Sequence, residues 1–297
     1  MAPNRLMIVG GFLGSGKTTL LTQAAKRFVK QGYRVGLVTN DQGSNLVDTA
    51  LLNKQGFPVA EVAGSCFCCA FNDLLQALTQ LQNKVQPDII LAEPVGSCTD
   101  LLSTVIRPLE QLFPGQFEVA PLSVVIDASR DVRTFSPNVA YLYECQLTEA
   151  EVILLNKADL VEPDSLLERK AALQAQFPRS QVFTISAHSG FGIDDWMGFM
   201  TGRTSASLMD MEVDYARYAD AEAELAWLNM QGAVRASVPF SAQEWAMDLF
   251  ASLKDSLQPS SIAHIKAQIV TPVATYKVSL TQNESELTWD LTRSISR

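Results

Sequence analysis

Residues 6–18 read Leu-Met-Ile-Val-Gly-Gly-Phe-Leu-Gly-Ser-Gly-Lys-Thr, an apolar run that passes directly into a glycine-rich turn and then into a helical pattern. The apolar half, Leu6 to Val9, has the length of a buried strand. The second half, Gly11-Phe12-Leu13-Gly14-Ser15-Gly16-Lys17-Thr18, fits the phosphate-binding loop, and the fit has a mechanical basis. Glycines let backbone N–H groups close around phosphate oxygens, and the N-terminus of the next helix adds its partial positive charge. Lys17 then reaches the β and γ phosphates while the Thr18 hydroxyl ligates Mg²⁺. Gly11, Gly14, Ser15, Gly16 and Thr19 are the remaining residues expected to contact the phosphates.

Working outward, short apolar runs alternate with helical patterns through about the first two hundred residues. Val35 to Val38, Ile89 to Leu91, Val119 to Ile126, Val152 to Leu155 and Val182 to Ile185 read as further buried strands, continuous in hydrophobicity as strands covered on both faces are. Thr19 to Val29 and Asn72 to Leu81 each place leucines and alanines on one helical face. The expected fold class is therefore α/β, a doubly wound, mostly parallel sheet built around the phosphate loop. Residues 201–219 lapse into small and polar types and are expected to link this domain, residues 1–200, to a smaller α+β domain over residues 220–297. In the latter, Glu224 to Met230, Ile262 to Val270 and Tyr276 to Leu280 read as strands. Ser241 to Leu257 reads as a helix capped by Ser241 with Glu244 reaching back, its apolar stripe formed by Trp245, Leu249, Leu253 and Leu257.

Composition bounds the partners. The 297 residues are 47% hydrophobic and 19% charged, with Lys+Arg 23 against Asp+Glu 32 and a formal net charge of -9. That acidity argues against nucleic acid, whose non-specific binding rests on clustered Lys and Arg, and against an anionic membrane surface. No stretch approaches the roughly 18 apolar residues of a membrane span. The segment 1–10 lacks a cleavage pattern and reads as a strand. Of the five cysteines, Cys66, Cys68 and Cys69 crowd into one tetrapeptide, which is not how a disulfide framework is laid out. A reducing cytoplasm is the expected location.

Three further constellations carry chemistry. Asn156-Lys157-Ala158-Asp159 follows a strand, where the Asp159 carboxylate can accept from both guanine N1–H and the exocyclic amine, a donor pair that adenine lacks. Ser186-Ala187, after the next strand, is placed to cover the base. In Cys66-Phe67-Cys68-Cys69, three thiolates could turn toward one soft cation such as zinc, leaving a fourth position open; a redox-active thiol cluster and plain apolar filling are the alternatives. Cys98 and Cys145 read as buried unless the fold brings one to that loop. Glu93 ends the Ile89 to Leu91 strand and can hold a water of Mg²⁺, with the Gly96 N–H meeting the γ phosphate as a switch. Asp41, at the end of the second strand, could orient water or touch the metal shell, and reads nearly as well as a solvated turn; Asp48 is a weaker candidate.

The phosphate loop, the three cysteines, Glu93-Pro94-Val95-Gly96 and Asn156-Lys157-Ala158-Asp159 occur in an order and spacing that resembles the CobW family of metal-handling GTPases, related to the GTPases that mature urease and hydrogenase. The resemblance covers residues 4 to 200. It implies GTP hydrolysis to GDP with Mg²⁺, coupled to delivery of a transition metal, zinc most often and cobalt in some members, to a client metalloprotein, and a GTP-dependent homodimer. It carries Lys17 and Thr18 over to phosphate and Mg²⁺, Cys66, Cys68 and Cys69 to the transition metal, Glu93 and Gly96 to the switch, and Asn156, Lys157 and Asp159 to guanine. Ser65 stands where the family usually has glycine, and with only His188 and His264 the chain lacks the histidine-rich tract of many members. Other classes weighed are a nucleotide-gated regulatory or assembly GTPase whose cysteines are structural or redox-active, and a partition-type ATPase, which would leave Asp159 without a purpose.

Overall fold

The computed structural model describes residues 3–41, 56–64, 66–206, 211–258, 260, 262–283 and 285–294, with backbone alone at 41, 63 and 290–294. The chain divides into two compact units, Met1–Ala226 and Trp227–Arg297.

The first unit is an eight-stranded sheet. Its strands are β1 (Asn4–Gly10), β2 (Val35–Asp41), β3 (Val59–Ala63), β4 (Ile89–Glu93), β5 (Phe117–Val119), β6 (Ser123–Asp127), β7 (Val152–Asn156) and β8 (Gln181–Thr184). They lie in the order β3-β2-β4-β1-β6-β7-β8, with β5 also on β1. Every pairing is parallel, and among the described residues helices connect β1 to β2, β3 to β4, β4 to β5, β6 to β7 and β7 to β8. Alternation along β1 shows the double winding. Leu6 and Ile8 join one core with Leu74, Leu78 and Leu81 of the helix Phe71–Val85, while Met7 and Val9 join another with Leu20, Leu21, Phe28 and the buried Trp196. The chain leaves β1 to one side through β2 and β4, then to the other through β6. The end of β1 is thus the switch point of the sheet, the place where such folds open a crevice.

Several elements differ from the sequence reading. The apolar run Val119 to Ile126 is two strands, broken around Pro121, which has no N–H for the ladder: β5 pairs with Asn4 to Leu6 and β6 with Val9 and Gly10, on the same edge of β1. Strand β3 had no separate signal. The region expected to be a linker contains the helix Tyr215–Glu224, capped by Asp214, and this helix lies in the first unit against the helix Pro137–Glu149. The expected strand Glu224 to Met230 is absent. Residue 224 ends that helix, and 226–230 have neither helix nor strand.

The second unit packs the helix Ala242–Ser256 on an antiparallel sheet ordered β11-β10-β9, formed by β9 (Ile265–Val270), β10 (Ala274–Leu280) and β11 (Thr288–Ser294). Ser241 Oγ accepts the Glu244 N–H at 3.2 Å, as a cap should. The innermost helix residues are Ala246 and Phe250, the latter packed with Ile262, Val278 and Leu280. Leu257, read from its spacing as part of the stripe, is exposed. Among the described residues no helix is long and apolar enough to cross a membrane.

Candidate functional site

Strand β1 ends in the glycine-rich turn, and the helix Lys17–Lys30 starts directly from it. Gly11, Gly14 and Gly16 all have φ in the left-handed region, at 128°, 73° and 98°. At Gly11 a Cβ would also overlap the Val125 carbonyl of β6, and at Gly16 it would overlap the Asn156 amide. Glycine is thus required both by backbone conformation and by close approach. Lys17 Nζ donates to the carbonyls of Gly11 at 2.7 Å and Phe12 at 3.3 Å, so the ammonium lies over the loop. The Ser15 hydroxyl is buried within the loop and has no hydrogen-bond partner among the described residues. A ring of N–H groups at a helix N-terminus with a lysine over it is suited to a polyphosphate.

Glu93, the last residue of β4, accepts the Thr18 hydroxyl on Oε1 at 2.9 Å, with both residues buried. A hydroxyl and a carboxylate held together this way form the oxygen donor pair that a hard cation such as Mg²⁺ takes. Gly96 lies against Leu13 of the loop so closely that a Cβ there would come within 2.7 Å of Leu13 Cδ2. The backbone of Asp41 ends β2; its side chain, like all of Asp48, lies outside the described residues.

Asn156 ends β7 and joins two loops. Its Nδ2 donates to Ser15 O at 2.7 Å and its Oδ1 accepts the Ala187 N–H at 2.8 Å, so one buried amide ties the phosphate loop to the Ser186-Ala187 loop. Within that loop Ser186 is buried, and its Oγ accepts the Ser189 N–H at 3.0 Å. Lys157, left-handed at φ 63°, donates to Asp127 Oδ2 at 2.6 Å; Asp159 is exposed in the following turn of 3₁₀ helix. The sequence reading made no use of Asp127. Its position at the end of β6, next to β7, is a consequence of register rather than of any local pattern.

The cysteines converge beyond β3. Cys66 and Cys68 sulfurs lie 2.8 Å apart, Cys68 and Cys69 sulfurs 3.9 Å, and all three lie within 4.8 Å of one another. Cys69 N–H and Ala70 N–H both return to the Cys66 carbonyl, folding the tetrapeptide into a turn. Asn40 anchors that turn to β2, accepting the Phe67 N–H at 3.0 Å and donating to Val62 O at 2.9 Å. A fourth sulfur joins from elsewhere in the chain, since Cys98 donates to Cys68 at 3.2 Å. Thiol donors, Cys68 first and then Cys98, hold the Cys66 thiol far below its usual range, while Cys68 and Cys98 are pushed up, in each case first by the bond with Cys66. Tyr218, on the helix Tyr215–Glu224, is pushed up first by burial and then by the charge of Cys68. All five cysteines are free; Cys145 is buried separately, and exposed His188 is not among the clustered ligands. The sequence reading left open whether Cys98 reaches this loop, and it missed Gln146, whose Nε2 donates to Gly96 O at 3.0 Å and Cys98 O at 2.9 Å.

Fold and geometry define a phosphate-loop, nucleotide-binding α/β domain with an appended thiol cluster. The family model described as CobW/HypB/UreG, nucleotide-binding domain, matches residues 5–184, and the chain belongs to that family. Zinc chaperone YjiA of Escherichia coli (strain K12) is 27% identical over 199 residues, 63% of this chain and 58% of that protein. Zinc chaperone YeiR of the same organism is 31% identical over 169 residues, 54% of this chain and 48% of that protein. The matched region thus spans about half the length of these curated relatives. The crystal structure of HypB from Helicobacter pylori in complex with nickel shares the fold with a TM-score of 0.50 at 19% identity, covering 68% of this chain and 86% of that one.

Proposed function

We propose that this protein is a Mg²⁺-dependent GTPase that carries a transition metal, zinc in the first instance, on Cys66, Cys68 and Cys69 and passes it to a client metalloprotein under the control of the bound nucleotide. The observation that carries this reading is the continuity of the segment after β4. Glu93 accepts from Thr18, Gly96 abuts the phosphate loop, and Cys98 touches the thiol cluster. Relatives described as zinc chaperones support zinc as the cargo.

On this reading the loop N–H groups and Lys17 neutralise charge on the transferred phosphoryl group, Thr18 and Glu93 would hold a Mg²⁺ that would supply further positive charge there, and Asp41 or Glu93 positions water. Asp159 selects guanine, and Ser186 and Ala187 cover the base. Turnover is expected to be slow until a client or a second copy, in a GTP-dependent homodimer, completes the site. A cytoplasmic location goes with reduced thiols.

The test is Zn²⁺ and Co²⁺ titration of the purified protein with and without GTP·Mg²⁺, repeated on Cys66→Ser. Stoichiometric binding that depends on nucleotide and is lost in the variant is expected. Binding that ignores nucleotide would favour the second reading, a regulatory GTPase with structural or redox-active cysteines. The 2.8 Å approach of Cys66 and Cys68 supports that alternative; under it, Cys66→Ser costs stability but no metal.

A further inference from the structure

The segment 94–100 belongs to both halves of the site. It leaves β4 at Glu93, passes Gly96 against Leu13, and brings the Cys98 sulfur to 3.2 Å from Cys68. Cys98 is 1% exposed, whereas Cys69 is exposed. Hydrogen bonds tie this short stretch together. The Cys98 N–H donates to Val95 O at 2.9 Å, and the Gln146 amide bridges the carbonyls of Gly96 and Cys98. Any shift of Gly96 toward a phosphate must therefore be felt at Cys98.

The sulfur spacing approaches that of four ligands: Cys98 touches Cys68 but lies outside the group of three sulfurs that are all within 4.8 Å of one another, so a closed shell needs the segment to carry it further in. A tetrahedral zinc thiolate with bonds of about 2.3 Å spaces its sulfurs about 3.8 Å apart. The observed separations of 3.9 Å (Cys68–Cys69), 3.2 Å (Cys98–Cys68) and 2.8 Å (Cys66–Cys68) require expansion of the closer pairs by about 1 Å or less to reach that spacing. Two buried polar atoms here have no hydrogen-bond partner among the described residues, Ser97 Oγ in the segment and Oε1 of Gln146 in the helix packed beside it. Such atoms are costly to leave unpaired, and a second arrangement of the segment could satisfy them.

We propose that Cys98 is the fourth sulfur ligand of the carried ion, borne on the segment that reads the nucleotide, so that nucleotide state sets whether the ion holds four thiolates or three. This rests on the metal-carrier reading above and assigns to it a ligand and a gate. A closed four-sulfur shell retains zinc; withdrawal of one thiolate opens the position through which an acceptor can enter.

The test uses the full chain, reduced, with one equivalent of Zn²⁺ for X-ray absorption and of Co²⁺ for thiolate-to-metal charge transfer. Wild type is expected to show four sulfur neighbours in one nucleotide state and three in the other. Cys98→Ser is expected to show three in both, with about a quarter of the charge-transfer intensity of a four-thiolate site lost. Its affinity in the four-sulfur state should fall by at least the roughly 10–100-fold seen when a mere partner of a ligand is removed. Three sulfurs in wild type in every nucleotide state, or a wild-type spectrum and affinity in Cys98→Ser, would overturn the assignment. Four sulfurs regardless of nucleotide would overturn the gate, and a Cys68–Cys98 disulfide that persists on Zn²⁺ addition would overturn both. Because Cys98 is buried and its variant could misfold, the wild-type sulfur count decides on its own. Failure of wild type to bind either ion removes the carrier reading itself, whereas loss of binding in Cys66→Ser alongside an unaltered Cys98→Ser removes only Cys98.

Discussion

Gly11 is the residue at which the phosphate loop tolerates least. Its left-handed φ and the Val125 carbonyl behind it both exclude a side chain. Gly11→Ala is expected to destabilise the first unit by about 1–3 kcal/mol from backbone strain, with steric displacement of β6 added, read as a lowered midpoint in urea. Asp159 contributes nothing comparable to folding, since it is exposed at the edge of its turn. Asp159→Ala should leave stability nearly unchanged while lowering GTP affinity by about 10²-fold or more and ATP affinity little, measured by side-by-side titration. Glu149 is a different kind of group. Fully buried, it accepts from Thr99 Oγ1 at 3.0 Å and from the N–H groups of Leu101 and Leu102, and burial pushes its carboxyl up to about 8. An acid raised on folding keeps its proton in the native state while the unfolded chain, with an ordinary carboxyl near about 4.3, has lost it. Stability from this group is thus full below about pH 4 and declines as pH rises toward 8. Glu149→Gln should flatten that decline, which thermal unfolding between about pH 5 and 8 would reveal.

Among the elements, the turn after β7 does more than its own sequence requires. Asn156 holds Ser15 and Ala187 together, so Asn156→Ala strips partners from a buried carbonyl and a buried N–H at once. The expected loss is about 1–3 kcal/mol for each group left unpaired, with faster nucleotide release in stopped-flow measurements. How much of this level was legible follows from the range of each interaction. The phosphate loop and the run of parallel strands were readable because turn glycines, helix starts and apolar periodicity are local. The division of the run Val119 to Ile126 into β5 and β6 could have been read from Pro121. The helix Tyr215–Glu224 was hidden by composition, since its alanines, acids and tyrosines give no broad apolar stripe and only Ala221 is buried. Asn40, Asp127 and Gln146 gave no sign of their partners, which lie up to 50 residues away and are brought near by strand register and helix packing, whereas Cys98 was expected to be buried unless the fold brought it to the cysteine loop, where it lies.

For the whole molecule, two units with separate cores imply that unfolding need not be a single transition. Phe250→Ala removes the central side chain of the small core and should cost about 3–5 kcal/mol there, lowering one calorimetric transition while the transition of the first unit keeps its midpoint. Linkage gives a further expectation on the proposed function. If GTP alters zinc affinity by some factor, zinc must alter GTP affinity by the same factor, so paired titrations have to agree.

The thiol cluster is graded in exposure, from exposed Cys69 through half-buried Cys68 to buried Cys66 and Cys98. If the cluster holds an ion, the bond to exposed Cys69 is the one an incoming ligand reaches most readily. Exchange is then ordered: once Cys98 is withdrawn, the bond to Cys69 is the first of the remaining three to be replaced and the bond to buried Cys66 the last. Handover of that kind is associative, its rate rising with the concentration of the acceptor, and the ion passes between proteins without an interval as a free aquo species.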